Sequence, residues 1–541
     1  NNRTFGVPFI EAVYKTNGGS GDLVAGDFSL SITGGTATVS SATPTSISIS
    51  GNVYTLGIGL TGTPDGSEVL KVGIFAEIQV GAGNEASTTQ SNNQQTFNEE
   101  RVREISWIEH NTSYARWNSF VKIDSNTYAL AYEGSSYDGY IQTFTIPTSG
   151  SSITKVATVE HDNYNNYYYS IVQVDADTYI AAYHGYYGGY GAQIRTFTIP
   201  VDGSAVTTVY TLKHLSGSSQ GYWNSLIALD ADTYVLAFMD SGSDGWLKTF
   251  TVSTNGRTLT QVADLEHDTN GGGHNSLVKV DANTVALAYA GSGDNGYIKT
   301  FNIPPDGSSI TQVYSYKHDG IQGKYNSFVQ ADSNTYVLAY AGSGNDGYIK
   351  TFTIPSSGAS ITQVKKEEHD NARGEYNSLS RISGGSDNYI LAYAGPDSEG
   401  GSAYDGFIKT FTIPADGSTI TQTYVLEHSD NQAEWNTLVQ VDEDTYALGF
   451  MGSGDDGYVS TFTVRASDQV APTISAVTLA ADNSTVAVTF DEPVYNTNGG
   501  SGALQASDFA LSISGGTATL TSATPTSISA SGNTYTLGIG S

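Results

Sequence analysis

The chain has 541 residues, room for roughly two to four domains with full-size cores. Its 54 acidic and 23 basic side chains leave a formal charge of −31, which excludes nucleic acid and anionic lipid as natural partners, since both are held by Lys and Arg. Cysteine is absent, so disulfides, thiolate metal sites and a cysteine nucleophile are excluded too. No apolar run reaches the length of a membrane span. Abundant Tyr, Gly, Ser and Thr predict an all-β protein.

Residues 1–98 open the chain with alternating strands and Gly, Asn and Pro turns, which predict a β-sandwich module. No signal peptide is visible, and the start at Asn1 is expected of a processed or partial product. Next comes an isolated strand, "RVREISWIEH" at 101–110, ahead of a long repeat. The repeat is marked by TF[TN][IV] beginning at Thr143, Thr196, Thr249, Thr300, Thr351, Thr410 and Thr461. One full unit, Tyr325 to Asp370, reads as four strands: "YNSFVQAD", "NTYVLAYAG", "GYIKTFTIP" and "ASITQVKKEEHD". Gly-bearing hairpin turns such as "PSSGAS" join the last two. Four antiparallel strands recurring about every 51 residues predict the blades of a seven-bladed β-propeller over 99–465.

The second strand supports that prediction. In "TYVLAYAG", Tyr336, Leu338 and Tyr340 alternate with Val337, Ala339 and Ala341. A bulky face and a small face, neither polar, suit sheets stacked face to face around a ring. The last unit stops after "GYVSTFTV" and lacks a fourth strand. The isolated strand 102–110 is therefore expected to pair with 457–464 and close blade seven, removing two exposed edges.

Residues 466–541 bring the first module back. Positions 4–60 match 485–541 without a gap and are identical at 41 of 57, including "TNGGSG", "GGTAT", "SATPTSIS" and "YTLGIG". The stretch "APTISAVTLAADNSTVAVTFDEPVYNTNGGSGALQASDFALSISGGTATL", together with "GNEASTTQSNN" at 83–93, resembles the Ig-like repeats of giant bacterial surface proteins. These repeats are the kind named for the cyanobacterial swimming protein SwmB. The resemblance covers 1–98 and 470–541 and implies an extracellular, multi-domain, adhesive or structural role, with no catalytic residues to carry over. The seven units resemble lactonase-like and other bacterial propellers only in their strand logic. The first module lacks a counterpart of "APTISAVTLA", 471–480, and the second a counterpart of "TGTPDGSEVLKVGIFAEIQV", 61–80. Two expectations follow: a window of a longer tandem protein, or head-to-tail assembly in which another copy donates the missing strand.

Candidate chemistry is thin against the repeat. Seven of the nine histidines, His110, His161, His214, His267, His318, His369 and His428, share one repeat position at the end of the fourth strand. With strands roughly 4.8 Å apart they stand about 14 Å outside the channel strand. Ligands of one ion must approach it to about 2–2.5 Å, so a structural role, hydrogen-bonding a loop to the next blade, is expected instead. Near the mouth of the ring every unit places Trp117, Tyr168, Trp223, His274, Tyr325, Tyr376 or Trp435. These form either a stacking platform for sugars or peptides or, more simply, inter-blade packing. All but the second unit follow that residue with Asn (118, 224, 275, 326, 377, 436), a turn residue; Tyr169 replaces it there.

Asp138, Asp244, Asp346, Asp405 and Asp456, with Asn295, precede the third strand's Gly and read as turn residues rather than Ca²⁺ ligands. The second unit departs from the others with Tyr164, Tyr167, Tyr169, Tyr186, Tyr187 and Tyr190, a candidate interface patch. The sixth inserts Asp397 and Glu399 ahead of Asp405, a candidate cation site with Ca²⁺ as the cofactor it would admit.

The sequence thus predicts an all-β chain, a seven-bladed propeller of four-stranded blades between two partial Ig-like β-sandwiches, at an extracellular or cell-surface location. The expected function is a non-catalytic structural or adhesive element whose partners are copies of itself or adjacent modules. The alternatives are a propeller adhesin binding surface glycans or peptides, and a propeller enzyme (lyase, hydrolase or lactonase) on surface modules. An enzyme is distinguished by a polar, asymmetric pocket with several titratable groups on one face.

Overall fold

The computed structural model describes residues 4–9, 12–15, 20–35, 37–62, 64, 68–74, 78–80, 94–96, 102–185, 191–215, 220–382, 387–396, 404–464, 474–490, 494, 503–515 and 517–540. The chain divides into two units, Arg101–Ser467 and a unit built from Asn1–Glu100 with Asp468–Ser541. Among the described residues no helix is long and apolar enough to cross a membrane. The protein is all-β.

In Arg101–Ser467 the repeat folds into seven four-stranded antiparallel sheets, an arrangement consistent with a β-propeller. The fifth sheet is typical: Lys324–Gln330, Thr335–Ala341, Gly347–Thr353 and Thr362–Asp370, in that order. The seventh takes its outer strand from far upstream. Val102–Asn111 pairs antiparallel with Gly457–Val464, from Val102↔Val464 to Asn111↔Gly457, the partner to which the strand count pointed. Val102 is fully buried in that pairing.

Face complementarity holds the sheets together. Ala286 and Ala288 of the fourth sheet form one core cluster with Tyr336, Leu338 and Tyr340 of the fifth. Val337 and Ala339 then meet Tyr389, Leu391 and Tyr393 of the sixth. Ala447 of the seventh packs on Tyr128, Leu130 and Tyr132 of the first, which returns the circuit to its start. The second-strand tyrosines Tyr128, Tyr179, Tyr336 and Tyr446 are wholly buried, each a large apolar payload.

Hydroxyls stitch the same circuit from inside. The Ser119, Ser170, Ser225, Ser276, Ser327 and Ser378 hydroxyls each accept the backbone N–H of the next inner strand at 2.9–3.1 Å. Thr437 Oγ1 completes the round by accepting from Phe120 N at 3.3 Å. Further out, Thr351 Oγ1 donates to the hairpin-turn carbonyl of Gly417 at 2.7 Å, and Thr461 Oγ1 makes the same bond to Gly150. Thr410 instead bonds Thr423 at 2.8 Å. The physical reason is that the seventh sheet's outer strand comes from 102–111, so no hairpin turn follows its third strand.

Buried ion pairs bridge the outer halves. Lys350 of the fifth sheet donates to the His318 carbonyl and lies 3.6 Å from Asp319 of the fourth, which also accepts from Tyr340 Oη at 2.9 Å. Lys299–Asp268, Lys409–Asp370 and Arg195–Asp162 repeat the device at 3.7, 3.5 and 3.4 Å. Close backbone approach explains the paired glycines beside them. A Cβ on Gly374 would lie 2.2 Å from the Gly347 Cα. Gly374→Ala is therefore expected to destabilise the ring by about 1–3 kcal/mol. Gly320→Ala, where a Cβ meets nothing within 4 Å, is expected to leave the melting temperature unchanged. Equal melting of the two variants would refute this packing account.

The two terminal segments repeat the same sheet, each within its own stretch of chain, but only the first builds a second sheet on it. In the first, Thr4–Pro8, Val53–Gly57 and Ile47–Ser50 form one sheet, and Gln94–Thr96, Val69–Ile74 and Phe28–Thr33 another. Phe28, Leu30, Tyr54, Leu56, Leu70 and Val72 join in a common core. The second repeats the first sheet as Thr485–Phe490, Thr534–Gly538 and Ile528–Ser531, with Ile474–Leu479 added on its edge. Residues 509–514, the counterpart of Phe28–Thr33, form no strand, and Ile513 is 52% exposed. Their counterpart partner, Val69–Ile74, has no match within 485–541.

Candidate functional site

Each inner strand begins with a bulge that aims one aromatic side chain at the centre of the ring. In the first sheet the pairing slips between Arg116 and Ser119, leaving Trp117 and Asn118 out of the ladder. Trp117, Tyr168, Trp223, His274, Tyr325, Tyr376 and Trp435 all have left-handed backbone, φ 51–61°. L residues adopt that region at a cost of roughly 1–2 kcal/mol each. The following Asn offsets it: Asn326 Nδ2 donates to the carbonyls of Gly323 and of His274 in the preceding sheet, both at 2.9 Å. Asn118 does the same to Ala115 and, across the closure, to Trp435.

The seven side chains meet in one continuous ring. Successive centroid separations run from 3.5 Å (Trp435–Trp117) to 4.9 Å (Tyr168–Trp223). The structure therefore brings together all seven residues singled out as a candidate platform, as a plug packed ring against ring.

Above one sector of the plug the repeat breaks down chemically. A pocket of about 460 Å³ is lined by Arg116, Glu133, Gln432, Glu434, Asp455 and Met451, with Tyr137, Tyr167, Tyr222 and the ring members Trp117, Tyr168 and Trp435. Glu133 ends the second strand of the first sheet, at the position held by Ala290, Ala341 and Ala394 in three other sheets. His184 occupies it in the second sheet. Glu133 is wholly buried, and among the described residues its carboxyl has no hydrogen-bond donor beyond the adjoining Trp117 side chain. Burial dominates its titration; Arg116 and the Trp117 side chain pull the other way, and the pKa is pushed up to about 8. Glu133 is thus a proton-bearing acid at neutral pH.

Arg116 Nη2 reaches Asp455 at 3.3 Å, and Gln432 Nε2 bridges Asp455 and Glu434 at 3.0 and 3.2 Å. His184 stacks on Tyr167 at 5.7 Å, and burial holds its pKa down near 4. Sequence reasoning missed Arg116, Glu133, His184 and Glu434. The available signal was "AYEG" and "AYHG" against "AYAG" in otherwise matching strands.

Other sequence candidates fall elsewhere. The seven repeat histidines are buried beside aromatic rings, His318 edge-on to Tyr340 at 4.9 Å. In His214, His267, His318, His369 and His428 neither ring nitrogen has a partner among the described residues. The expectation that these rings hydrogen-bond a loop is corrected: the ring packs, and the backbone carbonyl takes the Lys ammonium in Lys248, Lys299, Lys350 and Lys409. Among the described residues, of these seven only His110, to Gln142 at 2.8 Å, and His161, to Tyr169 at 3.1 Å and Arg195 at 3.2 Å, show ring hydrogen bonds.

That second bond also corrects the interface patch. Tyr169 is buried, Tyr167 lines the pocket, and Tyr164 is exposed, so they do not form one surface. Tyr186, Tyr187 and Tyr190 lie outside the described residues, as do Asp397 and Glu399. Asp405, the third candidate cation ligand, is fully buried rather than presented on a loop. Among the described residues no three His, Asp or Glu side chains are grouped to hold a metal ion.

No protein-family model and no curated protein matches the chain. Solved structures similar to it include a periplasmic gluconolactonase of Pseudomonas aeruginosa (TM-score 0.45, 13% identity, 69% of this chain and 96% of that one). Another is a Bacteroides fragilis protein provisionally described as a 6-phosphogluconolactonase (TM-score 0.45, 12% identity, 68% and 94%). A third is Sqt1 of Saccharomyces cerevisiae (TM-score 0.43, 10% identity, 67% and 99%). The expectation that the chain is not an enzyme is corrected here, because the ring carries the polar, asymmetric pocket with titratable groups that distinguishes an enzyme.

Proposed function

We propose that the chain is a seven-bladed β-propeller enzyme of the hydrolase or lyase class, with its site in the pocket above the aromatic plug and Glu133 as proton donor. The observation that carries this reading is Glu133 itself, a wholly buried acid where three sister sheets carry alanine. Repeat packing does not need a carboxyl there. A carboxylic acid kept protonated at neutral pH can protonate a leaving group, and Glu434 on the same pocket supplies a second carboxyl for a base or nucleophile role. The resemblance of the flanking segments to Ig-like repeats supports a bacterial surface setting, with adjoining modules or copies as head-to-tail neighbours.

Two readouts test the proposal. Glu133→Ala, which restores the residue of the sister sheets, is expected to stabilise the ring by about 1–3 kcal/mol, because it removes a buried acid. Turnover is sought on a panel of chromogenic glycosides, esters and lactones. Glu133→Gln is expected to lower kcat there by about 10²–10⁴-fold. A less stable Glu133→Ala protein, or turnover unaffected by Glu133→Gln, would refute the assignment.

A further inference from the structure

The pocket has a sign. Among the described residues its single cation, Arg116, is taken up by Asp455 at 3.3 Å. Glu434 accepts from the neutral amide of Gln432 and from the Tyr376 hydroxyl, and Glu133 lies buried in the wall with no donor beyond the Trp117 side chain among the described residues. Six aromatic side chains, Trp117, Tyr137, Tyr167, Tyr168, Tyr222 and Trp435, make up the rest of the lining apart from Met451. An aromatic face attracts a cation through its quadrupole, most strongly when water is excluded. Carboxyl groups and aromatic faces favour the same kind of guest, whereas a phosphate or carboxylate guest would meet Glu434 and Asp455 with no free cation to offset them.

Resting on the reading of this pocket as the active site, we infer that its ligand carries an organic ammonium group, held between the aromatic walls and the Glu434 carboxylate. Sugar phosphates and uronates are excluded by the same arrangement. A volume of about 460 Å³ falls within the roughly 300–1,000 Å³ of ordinary small-molecule sites, so an amine-bearing ligand of mono- or disaccharide size fits.

The test uses the full chain and follows Trp emission, because Trp117 and Trp435 line the pocket. Choline is titrated against its neutral isostere, 3,3-dimethylbutan-1-ol, and against phosphocholine. Choline is expected to saturate the signal with at least tenfold higher affinity than the isostere, and phosphocholine to bind more weakly than choline. Glu434→Gln, at a half-buried side chain, is expected to weaken choline tenfold while leaving the isostere unchanged. Equal binding of choline and isostere, preferred binding of the phosphate, or no saturable choline signal in a folded protein overturns the inference. Turnover that depends on Glu133 with no choline binding ends this inference and leaves the enzyme reading intact. Saturable, Glu434-dependent choline binding without turnover supports the inference and counts against the enzyme reading.

Discussion

Acidification from pH 7.5 to 5 is expected to unfold Arg101–Ser467, and all nine histidines of the chain take part. Burial drives every one of them downward, in several cases with a neighbouring Lys or Arg adding to the effect. His110, His267, His318 and His428 fall to about 3 and His184 to about 4, against an ordinary value of 6.5. Between 6.5 and the folded value the unfolded chain binds the proton and the folded chain does not, so stability falls as pH falls. Each such group costs about 2 kcal/mol at pH 5, and these five together on the order of 10 kcal/mol, the scale of a domain's whole stability.

Glu133 runs the other way. Its folded pKa of about 8 lies above its ordinary 4.5, and acidification over that window recovers about 3 kcal/mol. The balance still favours unfolding. Urea melts at pH 7.5, 6 and 5 should show the midpoint falling steeply below 6.5. The double variant His267→Phe with His318→Phe keeps the edge-on contacts with Tyr289 and Tyr340 but removes two titrating groups, and should flatten that slope. A midpoint unchanged between pH 7.5 and 5 would refute the account.

The ring was readable because its physics is periodic. The alternation in "TYVLAYAG" gives the two faces that the structure packs as Tyr336, Leu338 and Tyr340 on Ala286 and Ala288. The unpaired count of fourth strands gives the partner of Val102–Asn111. The aromatic position before each Asn was visible for the same reason, since it recurs. The left-handed backbone at those seven residues was not, because aromatic side chains carry no preference for it; the bulge imposes it, with a following Asn at six of the seven.

The pocket was hidden by the method that exposed the fold. Attention to what repeats ranks Ala290, Ala341 and Ala394 as the pattern and passes over Glu133 and His184 as drift. Burial supplies the missing fact, since a carboxyl shut away from water is costly and demands a reason. The interface patch failed on the opposite ground. Tyr164, Tyr167 and Tyr169 are close in sequence, but strand alternation and the bulge send them to solvent, pocket and core.

Deleting residues 102–111 is expected to abolish the monomeric ring, the largest effect of any single change to the fold. This strand supplies the whole outer edge of the seventh sheet, pairing with Gly457–Val464 along its length with bulges after Glu104 and Glu109. Val102 lies in one core cluster with Tyr446, Leu448, Phe450, Phe462 and Val464, and Ile108 packs against the cluster of Tyr128, Leu130 and Tyr132. Its removal exposes apolar surface on both sides of the closure and strips a strand of eight residues of its partner. An open edge of that length and apolar character is a template for pairing with another chain. Loss of Val102 and Ile108 alone costs about 2–4 kcal/mol of burial before the ladder is counted. The deletion variant is expected to sediment as oligomers and to melt at least 10 °C lower, and a synthetic peptide of residues 102–111 should return it to a monomer by refilling the edge. The other six sheets have no such dependence, because each draws its four strands from one continuous stretch of chain. A deletion variant that stays monomeric with an unchanged melt would show that the clasp does not close the ring.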